Sequence, residues 1–493
     1  MYKSLVINPP FLEPHRPPIS CAILAEILKQ HGHEVIVKDV NIDIYRRLGS
    51  QKFHELQIKH TTDRDTHSVA QLSLLVEKEI QELDISSYDW ILVSCFSYWN
   101  IEPTKEICKW IRKHSSAKIV IGGPGIEYQD FGKNLLNLGL VDYYIYGEAE
   151  HSLPALLQGQ TEVPGINGLP PQQIDDIEDL PLPNYGYFDL KRYDWLLDDP
   201  DVFIYGSRGC VRKCTFCDVG KYWPKYRWRS GQSIANEMIS NYEHHGIKNF
   251  FFADSLVNGN LKEFRTMCEI LAKYKEGLFR WGSYAIVRPK SAHPASLFDL
   301  IEASGGKFWS LGIETGVDRI RFEMQKKFTN EDIDWHLEQS QRIGLQNNFL
   351  CISTWPSETL EEHQEYLQMF PRWQSYAVDG TIYGIRLSTT LSILDNTPLA
   401  TQVGTAFEFE QFTHDVAPDV YMSAWHVPGN PELTHKEKFR RTVALYEAAM
   451  DYNWPLTNCL QNINELKSAI SSMHKSQQFL VPRRSFPIYN LKD

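Results

Sequence analysis

Short apolar runs alternate with helix-patterned stretches along most of this chain, and they do so in two successive series. The first series runs through Leu5–Ile7, Val35–Val37, Trp90–Val93, Ile119–Ile121 and Tyr143–Tyr146. Strands this short and this uniformly apolar are buried on both faces, and helices between them force parallel pairing. Between the first two runs, Ile19, Ile23 and Ile27 recur at helical spacing with Leu24 and Leu28 beside them. Pro17 and Pro18 open that helix and Gly32 closes it, as expected of residues that preset or release the backbone at helix ends. Residues 1–150 therefore read as a doubly wound, Rossmann-like α/β domain.

A stretch rich in Pro, Asp and Gly follows over 151–200, with Leu180-Pro181-Leu182-Pro183 inside it, and reads as an ordered linker. The second series then offers six strands: Val202–Tyr205, Asn249–Ala253, Phe279–Val287, Phe308–Ile313, Asn347–Ile352 and Thr381–Leu387. Helical stretches such as Ile234–His244 and Glu331–Ile343 separate them. Six β/α units in succession over 201–395 predict a partial parallel barrel, (β/α)6, whose chemistry sits at the carboxyl ends of its strands. Residues 396–493 are expected to form a mixed α/β accessory region with Trp425, Trp454 and a helix over Lys436–Met450. It would cover the barrel or shape a pocket.

Composition narrows the class. A chain of 493 residues exceeds one core and suggests about three units. No apolar run approaches the roughly 20 residues that span a bilayer, and the opening MYKSLVINPPF lacks a signal-peptide core. The expectation is a cytoplasmic protein with no membrane partner. A net charge of −12 gives no overall field for nucleic acid. The locally basic run Arg208, Arg212, Lys213, Lys221, Lys225, Arg227 and Arg229 reads as solvated or phosphate-contacting loop residues. Nine cysteines are an odd number, which argues for reduced thiols over a disulfide framework. Cys21, Cys95, Cys108, Cys268, Cys351 and Cys459 are scattered, mostly in apolar segments, where buried thiols are the default.

The other three are clustered. Cys210, Cys214 and Cys217 stand at C-x3-C-x2-C spacing in the loop after the first strand of the second series. Thiolates are soft anionic ligands that suit zinc or iron–sulfur clusters. Zinc would want a fourth ligand, and structural zinc sites use paired Cys spacings. No second pair follows, and His244 and His245 lie far down the chain in a helical segment. Three closely spaced thiolates can instead hold three corners of a cubane and leave one iron open.

This spacing, with Phe216 just before the third cysteine and Arg227-Trp228-Arg229-Ser230 leading into a helix, resembles the radical S-adenosylmethionine (SAM) superfamily. The resemblance extends over nearly the whole chain. Asn8-Pro9-Pro10, Gly122-Gly123-Pro124 and Gly147-Glu148-Ala149-Glu150, then the Leu-Pro-x-Pro linker and the cysteine loop, look like the class with an N-terminal B12-binding domain. It implies that Cys210, Cys214 and Cys217 ligate a [4Fe–4S] cluster whose open iron chelates SAM. One electron from a reductant such as flavodoxin or ferredoxin would then yield a 5′-deoxyadenosyl radical. It further implies Phe216 near the adenine of SAM, and Asp254 and Glu314 as SAM-binding carboxylates, Glu314 lying in a G-x-E-[ST]-G-like Gly312-Ile-Glu314-Thr-Gly316. Asn8, Pro9, Gly122, Gly123, Gly147 and Glu148 would line the cobalamin face. Ser283, Arg288, Ser353 and Arg386 are weaker candidates, with structural ion pairs expected for the two arginines. Tyr98 and Trp99 would shield the reaction or fill the core.

One departure stands out. Cobalamin domains that ligate cobalt through histidine carry D-x-H-x-x-G after the first strand, and the loop after Ile7 has no such motif. Asp65-Thr66-His67-Ser68-Val69-Ala70 mimics it, but after the second strand, as an accidental match. Members of the class bind cobalamin without that histidine, and some keep the domain without the cofactor. The resemblance implies cobalamin-dependent methyl transfer to an unactivated carbon of a small molecule or peptide, with the substrate between the two domains. Cyclisation or rearrangement is the alternative. A methylthiotransferase would need three further cluster cysteines, and Cys21 and Cys108 fall inside helices. A non-catalytic cobalamin sensor would not need an open iron corner.

Overall fold

The computed structural model describes residues 2–59, 66–194, 199–388, 391–394, 397–402, 407–409, 425–430 and 432–457. Two compact units divide them. In the first, β1 (Lys3–Asn8), β2 (Glu34–Asp39), β3 (Trp90–Ser94), β4 (Lys118–Gly122) and β5 (Tyr143–Ile145) form one sheet. Their order is β2-β1-β3-β4-β5, every neighbouring pair being parallel. This is the flavodoxin-like doubly wound order, in which the chain reverses direction at β1/β3 and opens a crevice beyond the strand ends. The central strands have no solvent face: β3 is buried at every position, and Leu5, Ile7, Ile91, Val93, Ile119 and Ile121 share one continuous core. Each such side chain contributes roughly 1.5–3 kcal/mol on burial.

Three helices, Val40–Leu48, Ser50–Ile58 and Thr66–Ile80, are inserted between β2 and β3. His67 lies on the third of them, while Asp65 lies outside the described residues. The linker begins later than residue 151, because a helix runs over Ala149–Leu157. Its buried Ser152, Leu153 and Leu156 anchor it to the unit, which outweighs the breaker signal of Pro154.

The second sheet comprises β6 (Asp201–Ile204), β9 (Asn249–Phe252), β10 (Arg280–Ala285), β11 (Gly306–Glu314), β12 (Gln346–Cys351) and β13 (Ile382–Leu387), in that spatial order. The pairs β10–β11, β11–β12 and β12–β13 are parallel. Sequential order with intervening helices is the arrangement of a partial barrel. Two short strands, β7 (Ser207–Arg208) and β8 (Arg227–Trp228), pair antiparallel and close the base of the cysteine loop between them.

Behind the sheet, Trp281, Trp309, Phe264, Phe298, His293 and His336 interlock as one aromatic cluster. Burial drives His293 down to about 3 and His336 to about 4, so both imidazoles are neutral in the fold. The accessory region supplies the antiparallel pair Glu408–Phe409 with Trp425–His426 and the helix His435–Asp451. That helix packs on the rim following β12: Thr442 Oγ1 lies 3.1 Å from Ser353 Oγ, and Arg441 reaches the Glu358 carboxylate at 3.2 Å. Cys459 and the residues after it lie outside the described residues.

Candidate functional site

The cysteine loop is held at its base, its start and its middle. At the base, the β7–β8 ribbon sets its two ends side by side. At the start, Asp254, just after β9, accepts from the Gly206 amide at 2.8 Å and from the Ser207 hydroxyl. Burial pushes the Asp254 carboxyl up to about 7, against those donors and the neighbouring Arg229. Asp254 does not cap a helix, since Asn260 caps the one that follows. In the middle, the Thr215 amide donates to the Met324 carbonyl at 3.2 Å and the Thr215 carbonyl accepts from Leu399 at 2.7 Å.

Within this frame Cys210, Cys214 and Cys217 are half-buried, in contrast to Cys21, Cys95, Cys108, Cys268 and Cys351, which are buried. Burial raises all three loop thiols, Cys217 to about 11. Cations oppose this: Lys326, Arg212 and Arg288 act on Cys210, and Lys326 and Arg212 on Cys214. Cys214 also feels the charge of Cys210, and Cys217 that of both other thiols. Among the described residues no group of three His, Cys, Asp or Glu side chains is arranged to hold a metal ion. Half-exposed thiols suit an iron–sulfur cluster, whose thiolate ligands must be deprotonated, and Lys326 and Arg212 favour that state at Cys210 and Cys214.

The basic run around the loop is only partly solvated. Arg227 and Arg229 are buried, which corrects the expectation for those two. Arg229 spends its guanidinium inside the unit, on the Tyr205 carbonyl (2.9 Å), the Glu237 carboxylate (2.5 Å) and the Ser233 hydroxyl (2.8 Å). A buried arginine is tolerated because both terminal nitrogens are bonded, one of them to a carboxylate, although Nε has no partner among the described residues. Arg288, unlike Arg229, makes no ion pair among the described residues: it donates to the carbonyls of Asn258 and Gly259 at 2.8 and 3.0 Å, and its charge acts on Cys210. Ser353 is absorbed by the contact with Thr442, Ser283 is buried, and Arg386 is half-buried on β13.

Glu314 ends β11 at a register irregularity and has a left-handed backbone, φ 66°. Such a conformation is uncommon outside glycine and needs support. Its carbonyl accepts from Ile352 N at 2.7 Å and from the Tyr366 hydroxyl at 3.1 Å. Its Oε1 lies 2.6 Å from the Nζ of Lys326, a residue the sequence reading missed because Lys326 is twelve positions away with no motif around it. Lys326 also sits 5.6 Å from the ring centre of Phe216, whose edge meets Trp355 at 6.1 Å. Thus Phe216 and Glu314 are brought together, and Lys326 is what joins them. Oε2 of Glu314 takes no hydrogen bond from the described residues, so it can accept a hydroxyl or ammonium group, as SAM would offer.

The strand ends of the first unit spend most of their polar groups internally. Asn8 donates to Asp39 at 2.8 Å, and Asp39 also takes the Tyr193 hydroxyl at 2.6 Å and the Ile42 amide. Pro9 is buried. Glu148 accepts from Ile174 N at 2.7 Å. A Cβ on Gly123 would meet the Cys95 carbonyl at 2.5 Å, and one on Gly147 would meet Pro171 at 2.8 Å, while Gly122 lies against Ile145. These glycines are required by the loops' own packing. What the rim exposes is aromatic: Phe96 is 56% exposed, and Tyr98 stacks near Trp99 and Tyr128 at 4.5 and 6.2 Å. The histidine in the loop after β1, His15, is buried with Nδ1 on the Asp194 carbonyl.

Fold and site together define a radical SAM protein. Residues 204–370 match the family model of the radical SAM superfamily, and residues 13–157 match that of the B12-binding domain. The chain belongs to the radical SAM superfamily and carries an N-terminal domain of the B12-binding type. Among curated relatives, it is 25% identical over 260 residues to cytidylyl-2-hydroxyethylphosphonate methyltransferase of Streptomyces wedmorensis, covering 46% of this chain and 47% of that one. It is 23% identical over 341 residues to anaerobic magnesium-protoporphyrin IX monomethyl ester cyclase of Synechocystis sp., covering 63% and 64%. The chain thus spans about half to two thirds of the length of these relatives. Among solved structures, it superposes on the radical SAM methyltransferase TsrM of Kitasatospora setae, with cobalamin and a [4Fe–4S] cluster bound, at TM-score 0.66 and 15% identity over 94% of this chain and 92% of that one. The cobalamin-dependent enzyme OxsB gives TM-score 0.64 at 15% identity over 96% and 75%. No described helix is long and apolar enough to cross a membrane.

Proposed function

We propose that this chain is a cobalamin-dependent radical SAM enzyme that transfers a methyl group to an unactivated carbon of a small molecule. The observation that carries the reading is the half-exposed group of Cys210, Cys214 and Cys217, with Lys326 and Arg212 acting on the first two, in a chain that also has a B12-type domain. When bound, the cluster supplies one electron to the sulfonium of SAM, and the corrinoid supplies the methyl carrier.

The chain's own residues position these groups. The three thiolates hold the cluster, and Asp254 fixes the start of their loop through Gly206 and Ser207. Phe216 and Trp355 present ring edges for the adenine, and Oε2 of Glu314 accepts from the ribose or the methionyl ammonium. Phe96, Tyr98, Trp99 and Tyr128 form the seat of the corrin. Tryptophan as substrate of the structurally similar TsrM supports a small-molecule substrate. A flavodoxin- or ferredoxin-class protein is the proposed electron donor, and the cytoplasm the proposed compartment.

The test is anaerobic reconstitution. The protein should take up about four iron and four sulfide, acquire a corrinoid spectrum from B12-fed cells, and consume SAM on reduction. A protein that takes up iron and consumes SAM but never binds corrinoid would overturn the methyl-transfer reading. It would favour ring closure, a second reading supported by the likeness to the cyclase. Methylthio transfer, despite a putatively named methylthiotransferase of Methanocaldococcus jannaschii at 26% identity over 282 residues, is disfavoured because Cys21, Cys95 and Cys108 are buried in the core.

A further inference from the structure

Lys326 is a lysine inside the protein whose surroundings are built around it. Its Nζ lies 2.6 Å from Glu314 Oε1 and 5.6 Å from the centre of the Phe216 ring, and Phe216 stands between Cys214 and Cys217 in the chain. Space for the pair is made by Gly312, where a Cβ would lie 2.5 Å from both Glu314 Oε1 and Lys326 Nζ. The backbone is bent to deliver it: Gln325 and Lys327 on either side of Lys326, and Glu314 itself, all have positive φ. Three left-handed non-glycine residues at one ion pair represent strain that the surroundings must offset. Burial works against the ammonium, but Glu314 and the thiols of Cys214 and Cys217 outweigh it and hold Lys326 above its ordinary range. Next to it, the Met324 carbonyl receives the Thr215 amide of the cysteine loop, so pair and loop are joined through backbone as well as charge.

We propose that the Lys326–Glu314 pair is an electrostatic positioning device that sets the reduction potential of the cluster held by the three cysteines, with the ammonium offsetting the charge gained on reduction. This rests on the proposed cluster site. Reduction by one electron from a low-potential donor adds one negative charge beside the thiolates. A cation in a low-dielectric pocket stabilises that state and raises the potential, and an unpaired carboxylate does the opposite. Phe216 screens the ammonium from water on one side, and Glu314 keeps it from leaving.

Because the two members carry opposite charge, their removal has opposite signs. In SAM-free reconstituted protein, the midpoint potential read by EPR-monitored redox titration should fall in Lys326→Met and rise in Glu314→Gln. It should return near the wild-type value in the double variant and stay there in Lys326→Arg. Iron and sulfide content of the wild type is measured first; wild-type protein without iron would sink the cluster reading itself, whatever the variants do. Shifts of the same sign in both single variants, or no shift in either, would overturn the proposal. So would loss of iron in both single variants with Lys326→Arg also failing to load, which is the outcome of a purely structural pair.

Discussion

The two units carry the same kind of strand-end rim, and they use it differently. In the first, most polar groups at the strand ends are spent within the protein: the Asn8 amide donates to Asp39, which also takes the Tyr193 hydroxyl, and Glu148 holds the backbone at Ile174, while Asn8 Oδ1 has no partner among the described residues. Its three cysteines are buried, and burial raises them strongly, Cys95 to about 12. In the second, Cys210, Cys214 and Cys217 stay half-exposed among Lys326, Arg212 and Arg288. Thiol reactivity and metal binding follow exposure and nearby positive charge, so one residue type is buried structure in the first unit and suited to ligation in the second. The first rim offers shape and aromatic surface, the second offers charge.

The strongest test of that contrast removes thiols from each side. Replacing Cys210, Cys214 and Cys217 together by Ala should abolish iron uptake and SAM consumption. Replacing Cys21, Cys95 and Cys108 together should leave iron content intact, and loss of iron there would break the comparison. Next in size is the ion pair under the cysteine loop. Arg229→Ala strands Glu237, whose carboxyl burial already raises, and should cost about 3–5 kcal/mol in urea unfolding, the range for breaking a buried pair. A cost below about 1 kcal/mol would mean that Glu237 is readily hydrated.

The helix side of the second sheet makes a pH prediction. His293 and His336 are neutral in the fold, held at about 3 and about 4, and become charged near pH 6.5 when unfolded. Below that value the unfolded state binds the protons, so the stability is complete above pH ~6.5 and declines as pH falls toward 4. Each histidine should contribute a slope of about 1.4 kcal/mol per pH unit. His293→Phe, suited to its aromatic neighbours, should remove its share; an unchanged slope in unfolding curves between pH 7 and 5 would refute this. Smaller still, Cys108→Ser should cost about 1–3 kcal/mol by burying a hydroxyl without a partner, with no change in iron. Smallest in stability is Phe96→Ala, within about 0.5 kcal/mol for an exposed residue. It should nonetheless weaken corrinoid retention on a desalting column, and unchanged retention would remove Phe96 from the seat.

Much of this architecture was legible because strand and helix periodicities are local. Every strand of both principal sheets falls where an apolar run predicted one, and the two series yielded a doubly wound sheet and a sequential parallel sheet. The cysteine loop was legible for the same reason, its three thiols lying within eight positions. Lys326 was not. It is twelve residues from its partner, and only the bend at β11, the gap at Gly312 and the turn through Gln325 and Lys327 bring the two head groups together. Arg229 was misjudged for a related reason: whether a charged side chain is solvated or spent inside depends on what packs over it.

The amino-acid sequence alone determined the strand and helix periodicities, the loop that bears the three thiols and the class of chemistry they suit, because each depends on spacing along the chain. Tertiary structure alone decided which thiols stay accessible, which rim polar groups are already satisfied, and which cation faces the cysteine loop. Burial and Coulomb forces act across space, and residues distant in the chain set both.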